Sequence, residues 1–262
     1  MSTDLKTKGY WTSDPTGSSS LLPLDVVRRL RAQAVALNDE GRFEPSFSES
    51  IDESTGVKNK FYKPGVFACE PDGGDFETAP DMITYMSVLL RVLPSLLNES
   101  SSALSLSSRS FNAKLAVTKP GGSKYPLHVD NVVGLAGGDS RKLTVILYLN
   151  PCYDPEVDGG SLRLFLSSSS DGSSSSSSSS HPTTTTVDLP PDGGRLLAFW
   201  SDEIPHEVLP TAPGARADDE TKDRYALTLW IPTDNAEAIH NPGSNFRDLR
   251  ERVFEKRNRR KI

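Results

Sequence analysis

A chain of 262 residues with 35% apolar composition is long enough to bury one sizeable core, and its formal charge of −6 argues against a nucleic-acid binder that relies on a general basic surface. Cys69 and Cys152 are the only cysteines, so no disulfide framework is in play and a reducing compartment is the expectation. The start, Met1-Ser-Thr-Asp-Leu-Lys-Thr-Lys8, lacks the apolar stretch of a secretory signal, and Met82–Leu97 is interrupted by Arg91 and Pro94 and is too short to span a bilayer. These features predict a protein of the cytoplasm or nucleus, with neither membrane nor nucleic acid as a partner, and a monomer is the expectation.

The helical spacing of Leu24, Val27, Leu30, Ala34 and Leu37 predicts a helix that Gly41 can stop. A second helix is predicted from about Asp81 to Asn98, with Ile83, Met86, Leu90, Leu93 and Leu97 on one stripe. Between them Phe43–Asp75 is rich in Pro, Gly, Ser and Asp and reads as loop with short strands. From Ala113 the period changes to two. Ala113–Lys119, Lys142–Asn150, Ser161–Phe165, Thr184–Leu189, Arg195–Trp200 and Arg224–Ile231 read as strands separated by Gly-rich turns. The expectation is a mainly β protein, a double-stranded β-helix (jelly roll) with supporting N-terminal and C-terminal helices. Its boundaries are a helical support region over 1–112, a catalytic core over 113–235 and a basic C-terminal helix over 236–262. The Ser/Thr tract at 167–186 is of low complexity and is expected as a disordered excursion between two strands. In the tail, Phe246, Leu249 and Val253 fall on one side of a helix, leaving its arginines for solvent or for an acidic partner.

The chemistry-bearing residues cluster in the β region. In His128-Val129-Asp130 the imidazole and carboxylate are two residues apart, so on an extended segment they point the same way. His206 supplies a third ligand. Two histidines and one carboxylate on one face of a metal leave the opposite positions open, the arrangement of non-heme iron(II) oxygenases. His181 and His240 lie in low-complexity or tail sequence and are expected to be solvated and without a role. In Arg224–Trp230, Arg224, Ala226, Thr228 and Trp230 share one face, and a guanidinium beside a hydroxyl suits a carboxylate ligand. Thr144, Ile146 and Tyr148 share a face in the same way, and Tyr148 could donate its phenol to that carboxylate, or be a half-buried strand tyrosine. Arg216 is the competing arginine; its Pro/Gly/Asp loop is a poor support for a rigid guanidinium.

Together these segments resemble the prolyl 4-hydroxylase family of Fe(II)/2-oxoglutarate dioxygenases, and within it the oxygen-sensing prolyl hydroxylases that act on hypoxia-inducible factor. The matching motifs are Tyr125-Pro-Leu-His-Val-Asp-Asn131, Leu147-Tyr-Leu-Asn150, Gly159-Gly-Ser-Leu-Arg163, Phe199-Trp-Ser-Asp202, Pro205-His-Glu-Val208 and Arg224-Tyr-Ala-Leu-Thr-Leu-Trp230. The resemblance implies that His128, Asp130 and His206 bind Fe(2+). It implies that Arg224, with Tyr148 and Thr228, binds 2-oxoglutarate as cosubstrate, and that L-ascorbate supports turnover. The implied reaction consumes dioxygen, decarboxylates 2-oxoglutarate to succinate and forms 4-hydroxyproline on an intracellular protein with an accessible proline. Two alternatives stand beside it. One is a 2-oxoglutarate dioxygenase acting on another side chain; the other is a non-catalytic metal-binding jelly roll serving as a scaffold.

Overall fold

The computed structural model describes residues 1–15, 20–51, 58–101, 103–167, 184–212, 214–216, 220–241, 244, 246 and 248–259. In chain order the elements are α1 (Ser2–Lys8), β1 (Tyr10–Thr12), α2 (Leu24–Asp39), β2 (Glu44–Ile51), β3 (Lys58–Cys69), α3 (Pro80–Ser100), β4 (Asn112–Thr118), β5 (Tyr125–His128), β6 (Arg141–Tyr148), α4 (Pro155–Asp158), β7 (Leu162–Ser167), β8 (Thr184–Leu189), β9 (Leu196–Trp200), β10 (His206–Val208), β11 (Arg224–Pro232) and α5 (Leu249–Arg259). The strands form two antiparallel sheets, a larger one in the order β1-β9-β6-β11-β4-β3-β2 and a smaller one in the order β5-β10-β7-β8. This is the jelly roll that the alternating pattern predicts.

Side-chain alternation assigns the two faces of the larger sheet. Tyr225, Leu227, Leu229 and Ile231 of β11 are buried with Leu115 and Val117 of β4 and Leu143, Val145 and Leu147 of β6. They share one core with Val27, Leu30, Ala34 and Leu37 of α2 and Met82, Met86, Leu89, Leu93 and Leu97 of α3. Each large apolar side chain so buried contributes about 1.5–3 kcal/mol relative to exposure. Gly41, at φ +76, ends α2, and the following Arg42 N–H donates back to Leu37 O at 3.1 Å. The opposite face of β11 carries Arg224, Ala226, Thr228 and Trp230 toward the smaller sheet.

The segment expected as loop with short strands is more regular than its composition suggests. Phe43–Asp75 contains β2 and the 12-residue β3, a hairpin that extends the larger sheet through β3–β4 pairing. Pro45 and Pro64 disguise both strands; the β2–β3 register shifts between Pro45 and Phe47, and β2 is an edge strand, where a missing N–H is tolerated. α1 and β1 carry too few residues for a periodic signal. Residues 168–183 of the Ser/Thr tract lie outside the described residues, as does His181. Thr184–Leu189 is the strand that its alternation predicts, so Ser167 and Thr184–Thr186, which composition also placed in the excursion, are ladder residues, with Ser167 paired to Thr184 and Phe165 to Thr186.

Phe246, Leu249 and Val253 are buried as the tail's pattern predicts, and α5 packs against β7 and β8. His240 is half-buried rather than solvated. Its backbone N–H donates to Asp202 Oδ2 at 2.8 Å, and its Nε2 lies 3.2 Å from the Asn131 carbonyl. Among the described residues no helix is long and apolar enough to cross a membrane.

Candidate metal centre

β5 and β10 lie side by side with His128 opposite His206, so strand pairing itself brings two imidazoles together across 78 residues of sequence. Their ring centroids are 4.3 Å apart. Asp130, just beyond β5, places Oδ1 3.5 Å from His128 Nε2 and 3.7 Å from His206 Nε2. One ligand atom from each residue lies within 4.8 Å of the others, the spacing that a single ion can bridge. The side chains of Asp130 and His206 are 8% and 5% exposed, whereas that of His128 is 36% exposed, so the centre opens on the His128 side.

Hydrogen bonds aim each ligand. His128 Nδ1 lies 2.8 Å from Pro126 O and His206 Nδ1 lies 3.0 Å from Ile204 O. A carbonyl only accepts, so each Nδ1 carries the proton and each Nε2 presents a lone pair to the centre. Asp130 Oδ2 accepts from Thr144 Oγ1 at 2.7 Å and from Trp230 Nε1 at 3.0 Å, leaving Oδ1 free. Because Thr144 spends its proton on Asp130, the Ser201 hydroxyl must donate to Thr144 across their 2.7 Å contact.

The charge states suit metal binding. Burial alone would raise the Asp130 carboxyl; His206, His128 and the Trp230 indole outweigh it and hold the group well below the usual carboxylate range. Burial, then the neighbouring His128, push His206 down to about 4, so it is neutral at pH 7. One carboxylate and two imidazoles are donors that iron(II) accepts, and a facial set of three leaves positions for other ligands.

A second constellation stands on the same interior face. Arg224 is opposite Thr118 on β4, and the next rung of that face pairs Ala226 with Tyr148 on β6. The Arg224 guanidinium carbon stands 5.1 Å from the centre of the Tyr148 ring, and Nε donates to Gly160 O at 2.8 Å. Among the described residues Tyr148 Oη and Thr118 Oγ1 are buried and make no hydrogen bond of good geometry, the phenol lying beside Arg224 and the Thr118 hydroxyl beside that of Tyr125. Two orphaned hydroxyls beside a buried guanidinium form a cradle whose missing member is an acceptor anion. Gly160 makes room for the arginine: at φ +69, a Cβ there would stand 2.9 Å from Arg224 Cδ. Arg216, by contrast, is exposed in its loop. Thr228 lies on the cradle's face between Ala226 and Trp230, opposite Ile146 and Lys114.

Residues 113–232 match the model of the 2OG-Fe(II) oxygenase superfamily. The chain is 35% identical over 119 residues to the hypoxia-inducible factor prolyl hydroxylase of Caenorhabditis elegans, covering 45% of this chain and 13% of that protein. It is 33% identical over 138 residues to the human prolyl hydroxylase EGLN3, covering 52% of this chain and 46% of the relative. The matched region thus spans less than half the length of these curated relatives. A Pseudomonas putida prolyl-4-hydroxylase superposes with a TM-score of 0.61 at 28% identity, covering 88% of this chain and 96% of the other. A prolyl hydroxylase from Trichoplax adhaerens, solved with a peptide of the hypoxia-inducible factor oxygen degradation domain, gives 0.62 at 25% identity, covering 90% and 89%. Fe(II) and 2-oxoglutarate are the metal and cosubstrate of the superfamily.

Sequence reasoning placed the triad, Tyr148 and Arg224 on one interior. It missed the supporting shell of Thr144, Ser201 and Trp230. The signal was present for two of them, since period two already set Thr144 beside Tyr148 and Trp230 beside Arg224. What it lacked was the knowledge of which residue faces each across the sandwich.

Proposed function

We propose that this chain is an iron(II)- and 2-oxoglutarate-dependent dioxygenase that hydroxylates a prolyl residue, to 4-hydroxyproline, in an intracellular protein. The observation that carries the reading is the open His128–Asp130–His206 set on the same interior as the Arg224–Tyr148–Thr118 cradle. A scaffold would need neither an open coordination face nor an unfilled anion cradle. The prolyl target is supported by the similarity to prolyl hydroxylases over this region.

In this reading His128, Asp130 and His206 hold the iron, and Arg224 receives the distal carboxylate of 2-oxoglutarate with Tyr148 and Thr118 as donors. Thr228 faces the cosubstrate from between Arg224 and Trp230. Bound iron(II) supplies the dioxygen activation that couples decarboxylation of 2-oxoglutarate to oxygen insertion into a C–H bond. The protein's own part is orientation. The Nδ1–carbonyl contacts fix both imidazoles, and Thr144 and Trp230 hold Asp130 to one ligating oxygen. A proline suits the site because its fixed φ near −65° lets an extended segment enter at low entropic cost. L-Ascorbate enters as the reductant that keeps the iron ferrous, and the protein works as a monomer in the cytoplasm or nucleus.

The deciding measurement is mass spectrometry of lysate peptides after incubation with the protein, iron(II), ascorbate and 2-oxoglutarate. One added oxygen on proline supports the reading. Oxygen found only on other residues removes the prolyl assignment, and absence of any 2-oxoglutarate consumption removes the dioxygenase.

A further inference from the structure

β4 turns an unusual side chain into the interior. Thr118, Ala116 and Lys114 alternate on the face that carries the cradle, and Lys114 stands opposite Thr228. Its Nζ donates to Ser46 Oγ of β2 at 2.9 Å, which draws the ammonium toward the β3–β2 edge of the sheet and away from Tyr148 on β6. Lys63 of β3 joins it there, with Nζ 4.7 Å from the centre of the Tyr125 ring. Both lysines are partly buried and electrostatically coupled, and burial, then the Lys114 charge, push Lys63 down to about 8. Among the described residues neither forms an ion pair with a carboxylate.

Two like charges brought partly out of water without a counter-charge are costly unless a ligand supplies one. Glu70 and Asp130 are the carboxylates whose fields reach Lys114, but Glu70 is exposed and Asp130 is committed to the metal centre. Loading the triad with a divalent cation cancels the Asp130 charge and leaves the lysines still more in need of an anion. The distal carboxylate of the cosubstrate already has the Arg224 guanidinium as its counter-charge, whereas the Lys114 ammonium is held by Ser46 of β2.

We propose that Lys63 and Lys114 form a carboxylate-recognition site beside the metal centre, so that the preferred segment carries an Asp or Glu side chain close to its target proline. The inference rests on the prolyl reading above and names the class of segment that this site selects. The lysines bind and position the segment; they take no part in the oxidation.

The test uses two pools of fluorescein-labelled peptides with one central proline in an Ala/Gly/Tyr background. One pool has Asp at each flanking position in turn and the other has Asn. Binding is read by anisotropy with iron(II), 2-oxoglutarate and no dioxygen, and hydroxylation by mass spectrometry with dioxygen. The expected result is a preference of about tenfold to a hundredfold for the Asp pool, the range of a charge-assisted contact. That preference should fall below about threefold in Lys63→Met and in Lys114→Met and be retained in Lys114→Arg. The two positions are independent, so failure of one variant to fold leaves the other to decide. Equal handling of both pools by the unaltered protein overturns the proposal. So does a preference that survives in the Met variants, or a raised 2-oxoglutarate requirement with the preference intact, which would assign the lysines to the cosubstrate. If neither pool is hydroxylated although 2-oxoglutarate is consumed, the prolyl reading fails, and the anisotropy difference alone still decides the carboxylate site.

Discussion

The Trp230 indole donates to Asp130 Oδ2 at 3.0 Å, joining the last strand of the larger sheet to the loop that follows β5. With Thr144 on the same oxygen, this contact selects which carboxylate oxygen faces the metal. Trp230→Phe keeps the ring and removes the donor. Iron(II) affinity is expected to fall on the order of tenfold, with the melting temperature of the metal-free protein little changed. Titration of the purified variant with iron(II) without dioxygen measures this; unchanged affinity would show that Thr144 alone suffices.

Arg224 and Arg216 are separated by their supports. Arg224→Ala should raise the 2-oxoglutarate requirement about a hundredfold, the loss of a charge-assisted pair worth about 3 kcal/mol, and Arg216→Ala should not. Gly160→Ala should act in the same direction as Arg224→Ala, because the added methyl would meet Arg224 Cδ and Thr211 Cγ2 at 2.9 Å. A larger effect from Arg216→Ala, in the KM for 2-oxoglutarate, would relocate the cradle.

Lys63 gives a pH-dependent signature. Its folded pKa is lowered to about 8 from 10.5. Below about pH 8 both folded and unfolded chains carry the charge, and the folded one bears its burial cost. Between about 8 and 10.5 the unfolded chain holds a proton that the folded chain has released, so the stability of the unaltered protein rises with pH across that window. Lys63→Met removes the effect. At pH 7 the variant should be more stable by about 1–2 kcal/mol after discounting for solvent screening, roughly 4 °C in Tm. The gap should close toward pH 10.5. A gap that does not change with pH in melting curves of the two proteins would contradict the burial cost.

The Ser/Thr tract is bounded by paired strands. Since Ser167 lies opposite Thr184, a short Gly-Ser linker in place of 168–183 closes the same hairpin, and closure entropy changes slowly with length. The melting temperature should stay within about 5 °C of that of the intact chain. A larger drop would mean that the tract packs on the domain.

The alternation along β6 and β11 and the stripes along α2 and α3 made the sandwich, its covering helices and the inward set of Tyr148, Arg224, Thr228 and Trp230 legible in the sequence. Each depends on a local period, which needs no knowledge of neighbours. His128 and Asp130 were legible for the same reason, being two residues apart. Other features arose only from pairing across the fold. β3 is a strand because β4 offers it a ladder, and β2 because β3 in turn offers one, despite two prolines. His206 meets His128 because β10 pairs with β5, Trp230 meets Asp130 because the two sheets close over each other, and Lys63 comes within the field of Lys114 because β3 pairs with β4. No local period records which strand will lie beside which, since that is decided by how the whole chain buries its apolar faces and satisfies its backbone hydrogen bonds at once.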